Sequence, residues 1–222
     1  MAKNVGVILA GCGVYDGSEI HEAVLTLLAL DRAGAKVIPM APDISQMHVV
    51  NHQTGEIAEG EARNVMIESA RIARGEVRDI AGVKATELDA LVIPGGFGAA
   101  KNLSNFAVKG AECEVEGGVN RLIYDMYSDN KPIVAICIAP ATLTKALTSE
   151  GALPQVTIGN DPKTAAAINT MGGRHVKKAV DEYHFDAVNN VYSTPAYMLG
   201  PSIKDVALGI ENTINAMMET LG

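Results

Sequence analysis

Short apolar runs, separated by stretches of helical period, limit the folds open to this chain more than any other feature. Val5 to Ala10, Lys36 to Met40, the run ending at Ile93 before Pro94-Gly95-Gly96, and Ile133 to Ile136 are each too short for a buried helix. They read as continuous apolar strands rather than alternating ones, the pattern of a parallel sheet covered on both faces. Parallel neighbours need crossover connections, usually helices. The intervening stretches supply them: Glu19 to Arg32, with Ala23, Leu27 and Leu30 near one stripe and Gly34 as a stop; residues 60–74, ending at Gly75; Gly117 to Asn130; and Ala139 to Thr148.

The second half continues the alternation. Gln155 to Ile158 is a strand, and Asp161-Pro162 opens a short helix over Lys163 to Thr170. Arg174 to Val180, Tyr183 to Ala187 and Val191 to Ser193 read as strands, the last two as a hairpin about Asn189-Asn190. Ile203 to Thr220 closes the chain as a helix. Residues 43–58, with two His, an Asn and a Thr-Gly turn, read as an irregular excursion carrying a small β-hairpin near Gly55. With no repeat or linker, residues 1–222 form a single domain: an α/β sandwich about a mostly parallel sheet.

Charge and aromatic content exclude whole classes of partner. A net charge of −8 argues against nucleic-acid backbones and anionic membranes, and three Phe, six Tyr and no Trp leave little for base stacking. Cys12, Cys113 and Cys137 are sparse and widely spaced, which suits a reducing compartment rather than a disulfide framework. The apolar start is a first strand rather than a leader, and no run approaches the ~18 residues of a membrane span. A cytoplasmic location is expected.

In open α/β sheets, ligands bind beyond the carboxyl ends of the strands. The loops 11–19, 94–102 and 137–140 occupy that edge, and each holds residue types that chemistry needs. Cys137 ends a strand and begins a helix, where the positive dipole end and free N–H groups favour a thiolate. The local pattern alone fits a packed core thiol equally well. Gly95 and Gly96 allow backbone N–H groups to approach a substrate, so Gly96 and Ile138 are candidate oxyanion donors; the same glycines would also serve a tight strand-to-helix turn.

Glu19 opens the first helix. Its carboxyl is either a simple dipole partner or a protonated neighbour of the Cys137 sulfur, since two anions at close range raise one pKa. His21, His184 and Cys12 are accessory candidates. Cys113, between Glu112 and Glu114, is expected to be inert with a raised pKa. No metal site is read from the histidines. Gly11, Gly13 and Gly17 follow a GxGxxxG spacing rather than the dinucleotide GxGxxG, with no acid at the end of the second strand, so no nucleotide cofactor is expected.

Glu19, Gly95-Gly96 and Cys137, in that order, resemble the PfpI and Parkinsonism-associated deglycase superfamily. The segments 11–22, 94–105 and 194–198 resemble its ElbB-like, enhancing-lycopene-biosynthesis branch. The resemblance implies a flavodoxin-like fold of the class I glutamine amidotransferase type over the whole chain, and no cofactor. It further implies a homodimer acting as a glutathione-independent glyoxalase III-like lyase on a small aldehyde, glyoxal to glycolate, with a protein deglycase role beneath it and a link to isoprenoid biosynthesis. Cys137 would be the nucleophile, Glu19 its acid partner, and Gly96 and Ile138 the oxyanion donors. One departure matters: Ile138 stands where many members have His, and no His-x-Glu pair follows near the C-terminus. Amidotransferase and protease triads are thereby disfavoured. The other reading of the same cysteine is an oxidation sensor or metabolite-binding module.

Overall fold

The computed structural model describes residues 2–222. Seven strands form the main sheet in the order β3-β2-β1-β4-β5-β9-β8, with β1 (Asn4–Ile8) in the interior, flanked by β2 (Lys36–Ala41) and β4 (Ala90–Ile93). Beyond them lie β3 (Arg78–Asp79) on one side and β5 (Ile133–Ile136), β9 (Val191–Thr194) and β8 (His184–Asp186) on the other. Every pairing is parallel except β8 on β9, which is the expected hairpin. The α/β architecture with a mostly parallel sheet is as the apolar runs predict.

Period-two alternation along the buried strands divides the core between the two faces. Val5, Val7 and Leu9 face one layer, packing with Ala23 and Leu30 of α1 (Ile20–Arg32) and Val206, Ile210 and Ile214 of α8 (Ile203–Leu221). Ile8, Leu91, Ile93 and Ala135 face the other, against Leu122 and Met126 of α5 (Gly117–Ser128) and Leu143 and Leu147 of α6 (Ala139–Thr148). Both faces are dry, which is why these strands show no polar alternation.

Several boundaries differ from expectation. The helix expected over 60–74 is confined to α2 (Val65–Ile72), because the Asn64 side chain caps the Ile67 N–H at 2.9 Å and fixes the start there. Residues 43–64 make only isolated bridges, Val50 to Ile57 and Ser45 to Asn64, rather than a hairpin ladder. The strand expected over Arg174 to Val180 reduces to β7 (Arg174–His175), paired with β6 (Gln155–Val156) in a separate small sheet. After Gly96 the chain turns at once into α3 (Phe97–Lys101), followed by α4 (Phe106–Lys109); α7 (Pro162–Thr170) follows β6 with the Asp161 cap in place.

Candidate active site

The carboxyl ends of β1, β4, β5 and β9 meet at one edge, and hydrogen bonds lock their loops together. Glu19 N–H donates to the Gly95 carbonyl at 2.9 Å, Gly98 N–H to Gly17 at 2.8 Å, and Phe97 N–H to Val14 at 2.8 Å. The Asn102 amide ties the same two loops, donating to the carbonyls of Ala10 and Asp16 at 2.9 and 2.8 Å. The 43–58 excursion is pinned behind them, with Val50 N–H donating to the buried Asp16 carboxylate at 2.7 Å.

Cys137 sits between β5 and α6 with φ of +63°, a conformation that costs a non-glycine residue on the order of 1–3 kcal/mol. Its N–H donates to Thr194 on β9 at 2.9 Å, which holds the turn shut. The strained elbow projects the sulfur out of the sheet edge while keeping it only 7% exposed. The backbone N–H groups of Gly96 and Ile138 lie near the sulfur and favour its thiolate.

Its side-chain partner is Glu22, not Glu19. Glu22 is fully buried, accepting from Gly95 N–H at 3.0 Å through Oε2 and from Tyr197 N–H at 3.1 Å through Oε1. Burial, opposed by those N–H groups and reinforced by Glu19, pushes its carboxyl up to about 8. Burial and the Glu22 carboxylate likewise push the Cys137 thiol up. The upward push from Glu22 vanishes once Glu22 is protonated, so the titrations of the two groups are coupled.

Glu19 is the N-cap of α1, its Oε2 accepting from the Glu22 N–H at 2.7 Å, and it lines the mouth of the cavity. The carboxyl packed beside the sulfur is thus that of Glu22, one helical turn on from Glu19. The physical reason lies in α1. Its buried stripe runs through Glu22, Ala23, Thr26, Ala29 and Leu30, whereas Leu27 is only partly buried. A carboxylate in step with that stripe was the signal in the sequence.

The sulfur faces a cavity of about 250 Å³ lined by Val14, Phe97, Ile138 and Met198, with Glu19, Thr164 and Tyr197 as its polar side chains. Thr164, from the first turn of α7, and Tyr197, from the turn after β9, had no place in the sequence-level constellation. His21 does not line the cavity but touches Tyr197, its Nδ1 lying 2.7 Å from the hydroxyl. His184 lies on edge strand β8 opposite Ser193, and Cys12 in the β1 loop near Glu68 and Arg71; neither lines the cavity. Cys113 is buried and its thiol is raised, as expected, but mainly by burial rather than by its acidic neighbours.

Gly95 explains why the turn after β4 is glycine. A Cβ there would collide with the Cys137 Cβ and lie 2.5 Å from Glu22 Oε2. Gly95→Ala is expected to cost about 2 kcal/mol or more, read by urea denaturation, because neither backbone nor the buried carboxyl can retreat. An unchanged midpoint would show that the elbow has slack.

The description "DJ-1/PfpI family" fits a family model that matches residues 12–159, a span containing Glu22, Gly95, Gly96 and Cys137. The chain belongs to the DJ-1/PfpI family. Among DJ-1/PfpI-like relatives, the human "Glutamine amidotransferase-like class 1 domain-containing protein 3, mitochondrial" is 44% identical over 230 residues, 100% of this chain and 84% of that protein. The rat "ES1 protein homolog, mitochondrial" is 43% identical over 227 residues, covering 98% and 84%. A crystal structure from Ehrlichia chaffeensis, described as an isoprenoid biosynthesis protein with an amidotransferase-like domain, has 42% identity and a TM-score of 0.91 over 98% of this chain and 99% of that one. Drosophila DJ-1β, at 20% identity and a TM-score of 0.56, shares the fold. The mitochondrial names of the human, rat and zebrafish relatives overturn the cytoplasmic expectation. Sparse free thiols mark a reducing milieu and do not distinguish one such compartment from another.

Proposed function

We propose that this protein is a glutathione-independent glyoxalase of the ElbB-like branch, a glyoxalase III-like lyase that converts glyoxal to glycolate, with protein deglycase activity as an extension of the same chemistry. The observation that carries the reading is the buried Glu22 carboxyl beside Cys137, whose sulfur opens onto a small cavity. About 250 Å³ corresponds to some eight waters at ~30 Å³ each, suited to a compact dicarbonyl. The isoprenoid link rests on the description of the Ehrlichia structure. A homodimer belongs to the same proposal, supported by the apolar Ile20, Val24 and Leu28, which stand exposed along α1.

In this mechanism the Cys137 thiolate attacks one aldehyde carbon, forming a C–S bond and placing the carbonyl electron pair on oxygen. The Gly96 and Ile138 N–H groups turn from the sulfur to that alkoxide, which becomes a hemithioacetal on protonation. Glu22 as carboxylate removes the proton from the carbon bearing sulfur, and the electrons pass to the second carbonyl oxygen as an enediolate. Glu22 returns that proton to the neighbouring carbon while the hydroxyl proton on the sulfur-bearing carbon passes to the other oxygen, leaving a glycolyl thioester, and water releases glycolate and the thiol. One carbon is oxidised as the other is reduced, so glyoxal and water account for every atom and electron.

A panel of glyoxal, methylglyoxal and simple monoaldehydes, assayed without glutathione and with buffer amines controlled, tests the reading. Stoichiometric glycolate from glyoxal is expected. Aldehyde loss without hydroxy acid, together with rapid stable oxidation of Cys137 by mild peroxide, would favour the sensor.

A further inference from the structure

We infer that Tyr197 contacts the substrate, its hydroxyl donating a hydrogen bond to the carbonyl oxygen remote from the sulfur, and that His21 positions that hydroxyl. The inference rests on the aldehyde reading and names the residue that would select a dicarbonyl over a simple aldehyde.

A second carbonyl entering this cavity must find a donor or lose its hydrogen bond to water, because most of the walls are apolar. The available donors can be assigned in turn. Gly96 and Ile138 N–H groups point at the sulfur and serve the carbon that it attacks. The Glu19 carboxyl is already engaged as the acceptor of the Glu22 N–H. Thr164 lies beside the Asp161 carboxylate, which accepts its N–H at 2.7 Å and competes for its hydroxyl. Tyr197 remains. Burial, with Glu19 and Glu22 nearby, raises its hydroxyl above the ordinary tyrosine range, so it stays a phenol and a donor.

The position of Tyr197 is fixed relative to the reacting pair. Its N–H donates to Glu22 Oε1 at 3.1 Å, and the preceding residue, Ala196, has φ of +44°, which turns the chain back over the site after β9. Its ring is thus registered to the same carboxyl that lies beside Cys137. The 2.7 Å contact with His21 Nδ1 sets where the phenol proton points. With Nδ1–H donating to the tyrosine oxygen, the phenol proton is free for the cavity; with Nδ1 accepting, it is taken up. His21 is exposed, so it can exchange its proton with solvent without touching substrate.

The test reads reversible capture of glyoxal by Cys137, as protection of that residue from alkylation by iodoacetamide, followed by peptide mass spectrometry, with turnover measured alongside. Tyr197→Phe should raise the glyoxal concentration for half-protection on the order of tenfold. Alkylation without glyoxal should stay within about twofold, and protection by acetaldehyde, which lacks the second oxygen, should be unchanged. A disturbance of the pocket alone would move all of these together. His21→Ala should act in the same direction and add nothing in the Tyr197→Phe background; additive losses would overturn the positioning role. Equal half-protection by glyoxal in wild type and Tyr197→Phe, with wild-type turnover present, would overturn this inference and leave the glyoxalase reading standing. Glyoxal that neither protects nor is turned over by the wild type would sink both.

Discussion

Cys137→Ala is expected to abolish glyoxal turnover, a loss of at least about 1,000-fold, with product formation no faster than in protein-free buffer. No other group lining the cavity can form the covalent adduct on which the internal redox exchange depends. Alanine retains the Cβ, the helix start and the N–H bond to Thr194, so the melting temperature should stay within a few degrees. That combination separates lost chemistry from lost structure. Glycolate production by Cys137→Ala near the wild-type rate would end the covalent scheme.

Glu22→Gln should lower turnover by about 100-fold or more, whereas Glu19→Gln should lower it by only a few-fold. Both carboxyl oxygens of Glu22 accept backbone N–H bonds, so a glutamine amide must turn its NH2 toward either Gly95 or Tyr197. The resulting donor–donor contact costs about 1–3 kcal/mol and appears as a lower urea midpoint. The pH dependence identifies the carboxyl independently of that cost. Its folded-state pKa is pushed up to about 8 from an ordinary 4.5. Its contribution to stability is therefore complete below pH 4.5 and lost as pH rises through 8, at up to ~1.4 kcal/mol per pH unit. Glu22→Gln removes that dependence, so the gap in stability between variant and wild type narrows from pH 5 to pH 9. A larger turnover loss in Glu19→Gln than in Glu22→Gln would return the acid role to the residue nearer the helix start.

The parts of the site legible in the sequence are those whose residue type has few other uses. A Gly-Gly pair after an apolar run and a cysteine between strand and helix each constrain the backbone by their own chemistry. Glu22 was hidden because choosing between two acids three residues apart requires the rotation of α1, and α1 takes its rotation from α8 and the sheet rather than from its own stripe of leucines. Tyr197 was hidden for a related reason. Nothing in Thr194-Pro195-Ala196-Tyr197 shows that the chain folds back over the neighbouring strand end until β9 is known to lie beside β5. The core strands were legible because burial on both faces writes itself into every position. The two-residue strand β3 was not, since so short a pairing leaves no periodicity to read, and β6 and β7 were legible only as longer strands than the structure forms.

The Glu22 carboxyl is also the strut between the turn after β4 and the turn after β9. A lineage drifting away from this chemistry cannot discard Glu22 in small steps, because the first substitution weakens the scaffold before any new activity can compensate. Cys137 carries no such double duty. An inactive descendant of this protein should therefore be recognisable by a missing thiol beside an intact acid, and the reverse pattern should be rare.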